Sequence, residues 1–501
     1  MMKTVFTPGQ MKEIESFTRI QRNMTEVELI KEAGIRSAEF FLAEMKPKIA
    51  ERITILSGPG NNGIDAIEMA LELKKKGYAP FLVLVSHEEI ESFEIIEEFL
   101  RVSGPEQLEP FKLVIDQTSI FVDGLFGTGL SRDVSGIYKE IIQLMNDSGK
   151  RIYSIDIPSG IDGENGLERG ISIHADCCGV IGFLKTGNLL GDALDSSKVF
   201  KVIEMEMLIP EHIHGLTYLE EEIIPSIPRP QNSYKYNYGN VLSIGGSPGM
   251  NGSIQLAAMA ALRCGAGLST VAFPKKERAT FTLVYPEIIT KNFETIFGFE
   301  EIIRNYTGFL FGPGLKLTKN SSLYLEKVIE TKKPLVIDAS GLDLLSVIHF
   351  PLHQTIVLTP HVGELARMSH LSRTDILEDP IKHVREYSKL GFIIVLKGPI
   401  TIVSGMEETI LIRSGNPGMA TAGMGDVLAG MILAFLQKKI PPFVAVKQAV
   451  LLHSMSGNLA REEKGEDSLI ASDLFQQIPI ILKRGQKHET PARDSKNTSN
   501  R

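Results

Sequence analysis

Apolar residues in this chain gather into short runs, and most runs stop at glycine, aspartate, histidine or lysine. Arg52–Leu56, Pro80–Ser86, Ser119–Val122 and Arg151–Ile155 are the early runs. Asn240–Ile244, Leu268–Phe273, Thr307–Phe311, Pro334–Ile337, Thr355–Leu358 and Phe392–Leu396 repeat the pattern later. Each is read as a strand of an open sheet. Helical spacing fills the intervals. Thr7–Lys46 places Leu29, Ile30, Ala33, Phe40 and Phe41 at helical intervals, and packing or self-association is its expected role, with no chemistry. The acidic segment His87–Gln117 reads as a solvated helical connection, Ile254–Arg263 as an Ala-rich helix, and Ile440–Leu482 as helical, with His453 packed inside it. Val427–Leu436 is unbroken and apolar, the mark of a buried helix. Strands alternating with helices predict an α/β fold, Rossmann-like in its first half.

Candidate chemistry sits where the strands end. After the first run comes Gly58, Pro59, Gly60, Asn61, Asn62, Gly63, Ile64, Asp65, which is neither a GxGxxG nor a Walker loop. Its paired Asn amides can coordinate a hard cation or hold a ribose or phosphate; a capped turn explains them almost as well. Asp123 closes a second strand before GLFGTGL, and Asp156 closes a third before IPSGID. Acids at the carboxyl ends of strands stand where open α/β sheets bind ligands, and repetition favours a ligand site over mere turns. Lys185, Thr186 and Gly187 form another strand-end turn, whereas His174, Asp176, Cys177 and Cys178 match no zinc spacing and read as strand and core.

In the second half the focus is Ile412–Gln437. Gly415, Gly418, Gly423 and Gly425 lead straight into the apolar helix, with Asp426 at the junction. A helix N-terminus beside glycine offers its amides to phosphate. A carboxylate there is suited to moving a proton; a plain N-cap is the equal alternative.

Length then divides the chain. A sequence of 501 residues exceeds one ordinary core, and the stretch from Glu204 to Tyr238, with EEE at 220–222 and Pro225, Pro228 and Pro230, is the expected joint. The net charge of −8 argues against nucleic acid, and no apolar run reaches membrane-spanning length. Three cysteines make no disulfide framework and suit a reducing cytoplasm, and MMKTVFTPGQMKEIES has no apolar signal core.

GPGNNGIDA, DGLFGTGL and DIPSGIDGENG resemble the epimerase domain of bifunctional NAD(P)H-hydrate repair enzymes, the YjeF N-terminal family. GGSPGMNG, GPGL, VIDASGLDLL, LTPHVGE, LKGP and GNPGMATAGMGDVLAG resemble the ribokinase-like dehydratase domain of the same enzymes over most of Tyr234–Leu482. The resemblance implies a Rossmann-like three-layer epimerase domain over 1–215, a ribokinase-like α/β dehydratase domain over 216–484 and a disordered tail over 485–501. It implies exchange of the R and S hydrates of NADH and NADPH, then ADP-dependent dehydration of the S form, releasing AMP and phosphate. Hydroxide is a poor leaving group; phosphorylation makes it a good one, and the ring nitrogen then expels it. By resemblance, Asn61, Asn62, Gly63, Ile64, Asp65, Gly127, Thr128, Gly129, Leu130, Ser131, Arg132 and Asp133 would line the first substrate site, with Asp156 as acid/base. Asn62, Asp123 and Ser159 would hold K+. Lys397, Gly398, Pro399, Ile400, Thr401 and Gly425 would contact nucleotide carried with Mg2+. Ala266, Gly314, His361 and Asp426 would contact the hydrate, with Asp426 as base and the amides of Gly423 and Gly425 on the phosphoryl group. A cytoplasmic homo-oligomer without nucleic-acid or membrane partners is implied.

The family reads NNGGDG where this chain has Ile64 and Ala66, and Gly-Gly where it has Ala422 and Met424. An Ile needing positive φ would be strained, which puts epimerase activity in question. Two other readings remain: a ribokinase-like kinase of a small alcohol, and an active dehydratase fused to a binding-only first domain.

Overall fold

The computed structural model describes residues 2–85, 99–220, 222–225, 229–275, 282–347, 354–413 and 415–488. Glu221, Pro228, Ser414 and residues 86–98, which include the start of the acidic segment, lie outside them, as do residues 489–501 of the expected tail. The chain divides into two compact units, Lys3–Leu216 and Thr217–Arg501, the latter grouped with Met1–Met2.

The first unit contains β1 (Met2–Phe6), α1 (Pro8–Arg22), α2 (Glu26–Met45), β2 (Ile53–Ser57), α3 (Asn61–Lys75), β3 (Phe81–Val85), β4 (Phe99–Val102), α4 (Leu108–Gln117), β5 (Ile120–Gly124), α5 (Ile137–Asp147), β6 (Arg151–Ile155), β7 (Cys177–Ile181), β8 (Leu184–Lys185), α6 (Ala193–Ser196) and β9 (Phe200–Ile203). A seven-stranded parallel sheet runs β4-β3-β2-β5-β6-β7-β9. Ile55, Val122 and Ile155 face α2 and α3 on one side; Leu56, Phe121 and Ile152 face α4 and α5 on the other. Covered strands are apolar on both faces, which is why they read as continuous runs. The three-layer expectation holds. Of the acidic segment, expected to be mainly a helical connection, Leu108–Gln117 is helix α4, but Phe99–Val102 is an edge strand; its half-exposed pattern is too short to carry a period.

The second unit contains β10 (Leu216–Leu219), β11 (Asn240–Ile244), α7 (Asn251–Arg263), β12 (Leu268–Pro274), β13 (Ile289–Phe293), α8 (Ile296–Ile303), β14 (Gly308–Phe311), α9 (Ser321–Glu330), β15 (Leu335–Ile337), β16 (Ile356–Leu358), α10 (Val362–Ser369), α11 (Arg373–Glu378), α12 (Pro380–Lys389), β17 (Ile393–Leu396), β18 (Ile400–Ser404), β19 (Thr409–Arg413), α13 (Met424–Phe435), α14 (Pro442–Lys464) and α15 (Leu474–His488). Its strands run β13-β12-β11-β14-β15-β16-β17-β18-β19-β10, parallel as far as β17 and antiparallel through β18 and β19. Helices α7, α13, α14 and α15 bury their apolar sides on one face of it. The helical stretch expected to continue to Leu482 breaks at Gly465, whose φ of +78° ends α14. Residues 485–488, expected in the tail, continue α15. No helix among the described residues is long and apolar enough to cross a membrane.

Helix α13 is the central helix of that face because α7 approaches it closely. A Cβ on Gly430 would stand 2.0 Å from the Ala257 carbonyl oxygen. Backbone cannot swing aside as a side-chain tip can, so Gly430→Ala must separate the two helices. Overpacking of this kind costs about 1–3 kcal/mol. Urea unfolding of the full chain should show that loss in the transition of this unit; an unchanged midpoint would contradict the packing.

Candidate active sites at the two switch points

In the first unit the strand order reverses between β2 and β5, and their carboxyl ends open into a cavity of about 530 Å³. Ligands of open α/β sheets bind at such a reversal. Asn61, Asn62 and Asp65 line it from the start of α3; Gly127, Thr128, Gly129, Leu130, Ser131 and Arg132 line it from the loop after β5. Asp156, beyond β6, and Lys185, closing β8, complete the wall.

Gly63, Ile64 and Asp133 do not reach this cavity. Gly63 packs on the preceding turn, where a Cβ would fall 2.0 Å from the Gly58 carbonyl oxygen. Ile64 lies inside α3 and has no positive φ, so the expected strain is absent. Ala66 is accommodated because Gly124 faces it; a Cβ on Gly124 would be 2.5 Å from the Ala66 methyl. Asp133 stands beside Gly170 instead.

Asp156 has φ +65°, a costly conformation for a residue with a side chain. Four bonds hold it there. Its N–H donates to Gly179 O at 2.8 Å, and its carbonyl accepts from Asn188 Nδ2 at 3.1 Å. Its Oδ1 accepts from Ile181 N at 3.0 Å and from Lys185 Nζ. The Lys185 ammonium is 3% exposed and also donates to Ile181 O at 2.7 Å. Helix α1, expected to carry no chemistry, sends Lys12 and Glu15 into the cavity. Burial pushes the Asp65 carboxyl well above its ordinary value, and the neighbouring Asp156 and Glu15 push it further. Burial likewise raises Glu15, with Asp156 adding to it.

Below the cavity floor Asp123 is fully buried. It accepts from Ser159 Oγ at 2.5 Å, Ser159 N at 2.9 Å, Ser154 Oγ at 2.8 Å and Leu125 N at 3.2 Å. Asn62 Nδ2 donates to Phe126 O at 2.8 Å, which also accepts from Ser159 Oγ at 3.3 Å. One carboxylate, a hydroxyl, a carbonyl and an amide thus converge, and the donors bonded to Asp123 are neutral. Hard oxygens with a single negative charge fit a monovalent cation.

In the second unit Asp426 is the third residue of α13 rather than its cap; the cap is Gly423, with φ +91°. The helix therefore begins at Met424, earlier than the apolar run suggests, and the carboxylate is free for another role. Ser253, in the first turn of α7, donates to it. Burial, reinforced by the Asp338 carboxylate, raises Asp426 to about 6. Lys397 Nζ bonds Asp338 Oδ1 at 2.8 Å and lies 3.6 Å from Glu364 Oε2. Burial would depress that ammonium, but Asp338 and Glu364 outweigh it and its affinity for the proton rises. A Cβ on Gly425 would come 3.3 Å from Lys397 Nζ, so the absent side chain leaves the cation room beside the helix terminus.

His361 caps α10, its Nδ1 accepting from Gly363 N at 3.0 Å and Glu364 N at 3.3 Å. Burial keeps its imidazole below the ordinary value, against Glu364. It pairs with Lys397 in a parallel bridge. Gly398 and Pro399 form the turn into β18, and Thr401 Oγ1 reaches back to Gly398 O at 3.4 Å, with Ile400 buried beside it. Gly314, at φ +64°, lies against Met250 and Ser253. His453, pushed down to about 4 by burial, is neutral and donates to Met424 O at 3.0 Å, fixing the start of α13.

Ala266 is not brought to this group. It follows α7, and Gly267 beside it donates to Tyr238 O and Gly239 O just ahead of β11, at the amino ends of the strands. Ser253, Asp338, Glu364, Glu15, Lys12 and Lys185 were not singled out from the sequence as site residues. Asp338 and Lys185 at strand ends, and Glu364 within LTPHVGE, carried a signal; Ser253 and Glu15 carried none.

A family model described as NAD(P)H-hydrate dehydratase matches residues 241–480, and one described as YjeF-related protein N-terminus matches residues 26–187. The bifunctional NAD(P)H-hydrate repair enzyme Nnr of Coxiella burnetii is 29% identical over 501 residues, spanning 96% of this chain and 100% of that protein. The enzyme of the same name from Thermofilum pendens is 30% identical over 86% of this chain and 87% of its own length. Among solved structures, a ribokinase-like superfamily protein from Enterococcus faecalis matches at 32% identity and TM-score 0.48, covering 54% of this chain and 95% of that one. An ADP/ATP-dependent NAD(P)H-hydrate dehydratase from Bacillus subtilis, crystallised with ATP and Mg2+, matches at 29% identity and TM-score 0.47, covering 52% and 95%.

Proposed function

The chain belongs to the bifunctional NAD(P)H-hydrate repair enzymes, and we propose that its two units divide that repair between them. The first, residues 1–215, exchanges the R and S hydrates of NADH and NADPH. The second, residues 216–484, dehydrates the S hydrate with ADP, releasing AMP and phosphate. The observation that carries the second assignment is the placement of Asp426 one residue past Gly425, with the Lys397 ammonium standing over that glycine. Asp426 takes the proton of the hydrate hydroxyl as the phosphoryl group arrives. The first amides of α13 and Lys397 meet the negative charge that develops. Phosphate then leaves C6 as the ring nitrogen donates its electron pair, and loss of the C5 proton restores the double bond.

Gly398, Pro399, Ile400 and Thr401 hold the nucleotide in this reading, and Gly314 and His361 hold the hydrate. Magnesium carried with the nucleotide would need few protein ligands, and Asp338 and Glu364, the carboxylates beside Lys397, would supply them. In the first unit Asp123, Ser159 and Asn62 would hold K+, which would neutralise the buried Asp123 charge and stiffen the loop after β5. The buried free thiols of Cys177, Cys178 and Cys264 suit a reducing cytoplasm. Ala266, at the amino ends of the strands, takes no part in this reading.

The test is repair of a mixture of R and S hydrated NADH by the full chain with ADP and magnesium, followed by the absorbance of reduced nicotinamide. Recovery of the whole mixture faster than spontaneous exchange is expected. Recovery of the S fraction alone would reduce the first unit to a binding module, and no recovery with ADP or ATP would favour a small-alcohol kinase.

A further inference from the structure

The cavity of the first unit holds more acid than the exchange reaction has been assigned. Glu15, Asp65 and Asp156 converge on it from α1, α3 and the turn after β6, facing one buried cation, Lys185. Lys185 is committed to Asp156 and to the Ile181 carbonyl. Asp65 is 9% exposed, and among the described residues no hydrogen bond or ion pair engages its carboxyl. Its other neighbours give it no charge partner. Glu68 lies on its own helix, and α2 presses Gly34 onto the Asp65 carbonyl. From β5, Asp123 is bonded to Ser154, Ser159 and Leu125; from β6, Tyr153 is buried and carries no charge at neutral pH. Lys12 and Arg132 stand on the cavity wall without bonding to it. Burial without a partner favours the protonated form of Asp65. Two carboxyls in such different surroundings within one cavity, one bare and one bonded to an ammonium, suit an acid and a base serving one reaction.

We propose that Asp65 and Asp156 share the proton transfers of epimerisation, with Asp65 donating to the departing C6 hydroxyl and Asp156 accepting from the water that returns. The inference rests on the epimerase reading of this site. In the forward step the C6–O bond breaks, the hydroxyl leaves as water with the Asp65 proton, and the ring nitrogen lone pair forms the N=C6 bond. Water then attacks C6 from the opposite face, the electron pair returns to nitrogen, and the released proton goes to Asp156. Transfer from Asp156 back to Asp65 through cavity water closes the cycle, and the reverse reaction exchanges the roles. No oxidant or reductant enters.

The experiment measures interconversion of separated R and S hydrates by chromatography, without nucleotide so that dehydration is silent, across pH. Wild-type protein should show a bell-shaped profile whose alkaline limb is the ionisation of Asp65. Asp65→Asn, close to isosteric, should lower exchange at least about 100-fold and abolish the alkaline limb. Asp65→Glu should restore part of the rate with a displaced limb. Exchange by Asp65→Asn within tenfold of wild type, or a slower rate that keeps the alkaline limb, overturns the proposal. If Asp65→Asn does not fold, the position of the limb in Asp65→Glu decides, and an unmoved limb overturns it. Failure of the wild-type protein to exchange the hydrates at all removes the epimerase reading itself, a distinct result.

Discussion

Asp426→Asn is expected to lower dehydration of the S hydrate by about 10²–10⁴-fold while nucleotide still binds. Asn keeps the volume and can still accept from Ser253, but it cannot take the hydroxyl proton. The Gly-rich loop, Lys397 and the amides of α13 are untouched, so affinity for ADP should persist. Wild-type turnover should fall as pH drops through about 6, where Asp426 is protonated. The same shift carries a stability signature. The ordinary value of 3.8 is raised to about 6, so the folded chain holds this proton more tightly than the unfolded chain does. The stability this brings is complete below the ordinary value and is lost as pH rises through the folded one. At neutral pH an ionised Asp426 is therefore a liability. Its removal should stabilise this unit by about 1–2 kcal/mol after allowance for solvent screening. Single-turnover kinetics and thermal unfolding across pH measure both effects. Full turnover in the variant would remove Asp426 from the role of base.

The fold was legible because sheets covered on both faces demand apolar strands, and the strand ends that carry Asp123, Asp156, Asp338 and Lys397 were legible with them. What was lost is what depends on distance in space. Glu15 belongs to a helix with ordinary amphipathic spacing, and nothing local distinguishes it from a solvated acid; the β6 and β8 ends give it its meaning. Ser253 likewise acquires a role only because α7 and α13 meet closely at Gly430. Backbone conformation was the other blind spot. Ile64 looked strained against a Gly-rich pattern, but α3 starts at Asn61 and takes it into right-handed helix. Asp156 looked ordinary, yet it is the residue with positive φ. Ala266 was assigned through resemblance alone, and the path of α7 carries it to the amino ends of the strands.

Asp156→Asn should stop R/S exchange, by about 10²–10⁴-fold, and leave dehydration of supplied S hydrate running in the other unit. Asn tolerates positive φ better than most residues, so the backbone at φ +65° need not rearrange. Asn can also accept the Ile181 N–H. What it cannot supply is charge. An ammonium 3% exposed loses its counter-ion, and breaking a buried pair from one side costs about 3–5 kcal/mol. The cavity offers relief, because burial holds a proton on Asp65 and Lys185 works against that burial, and Glu15 is raised in the same direction. Lys185 should draw a proton off one of them, which replaces part of the lost attraction. The loss of stability should therefore fall below the usual cost, and should grow when Asp65→Asn is added. Thermal unfolding of the single and double variants measures that coupling. Simple additivity would mean that Asp65 does not take over the charge of Asp156. Retained exchange in the single variant would mean that the base lies elsewhere.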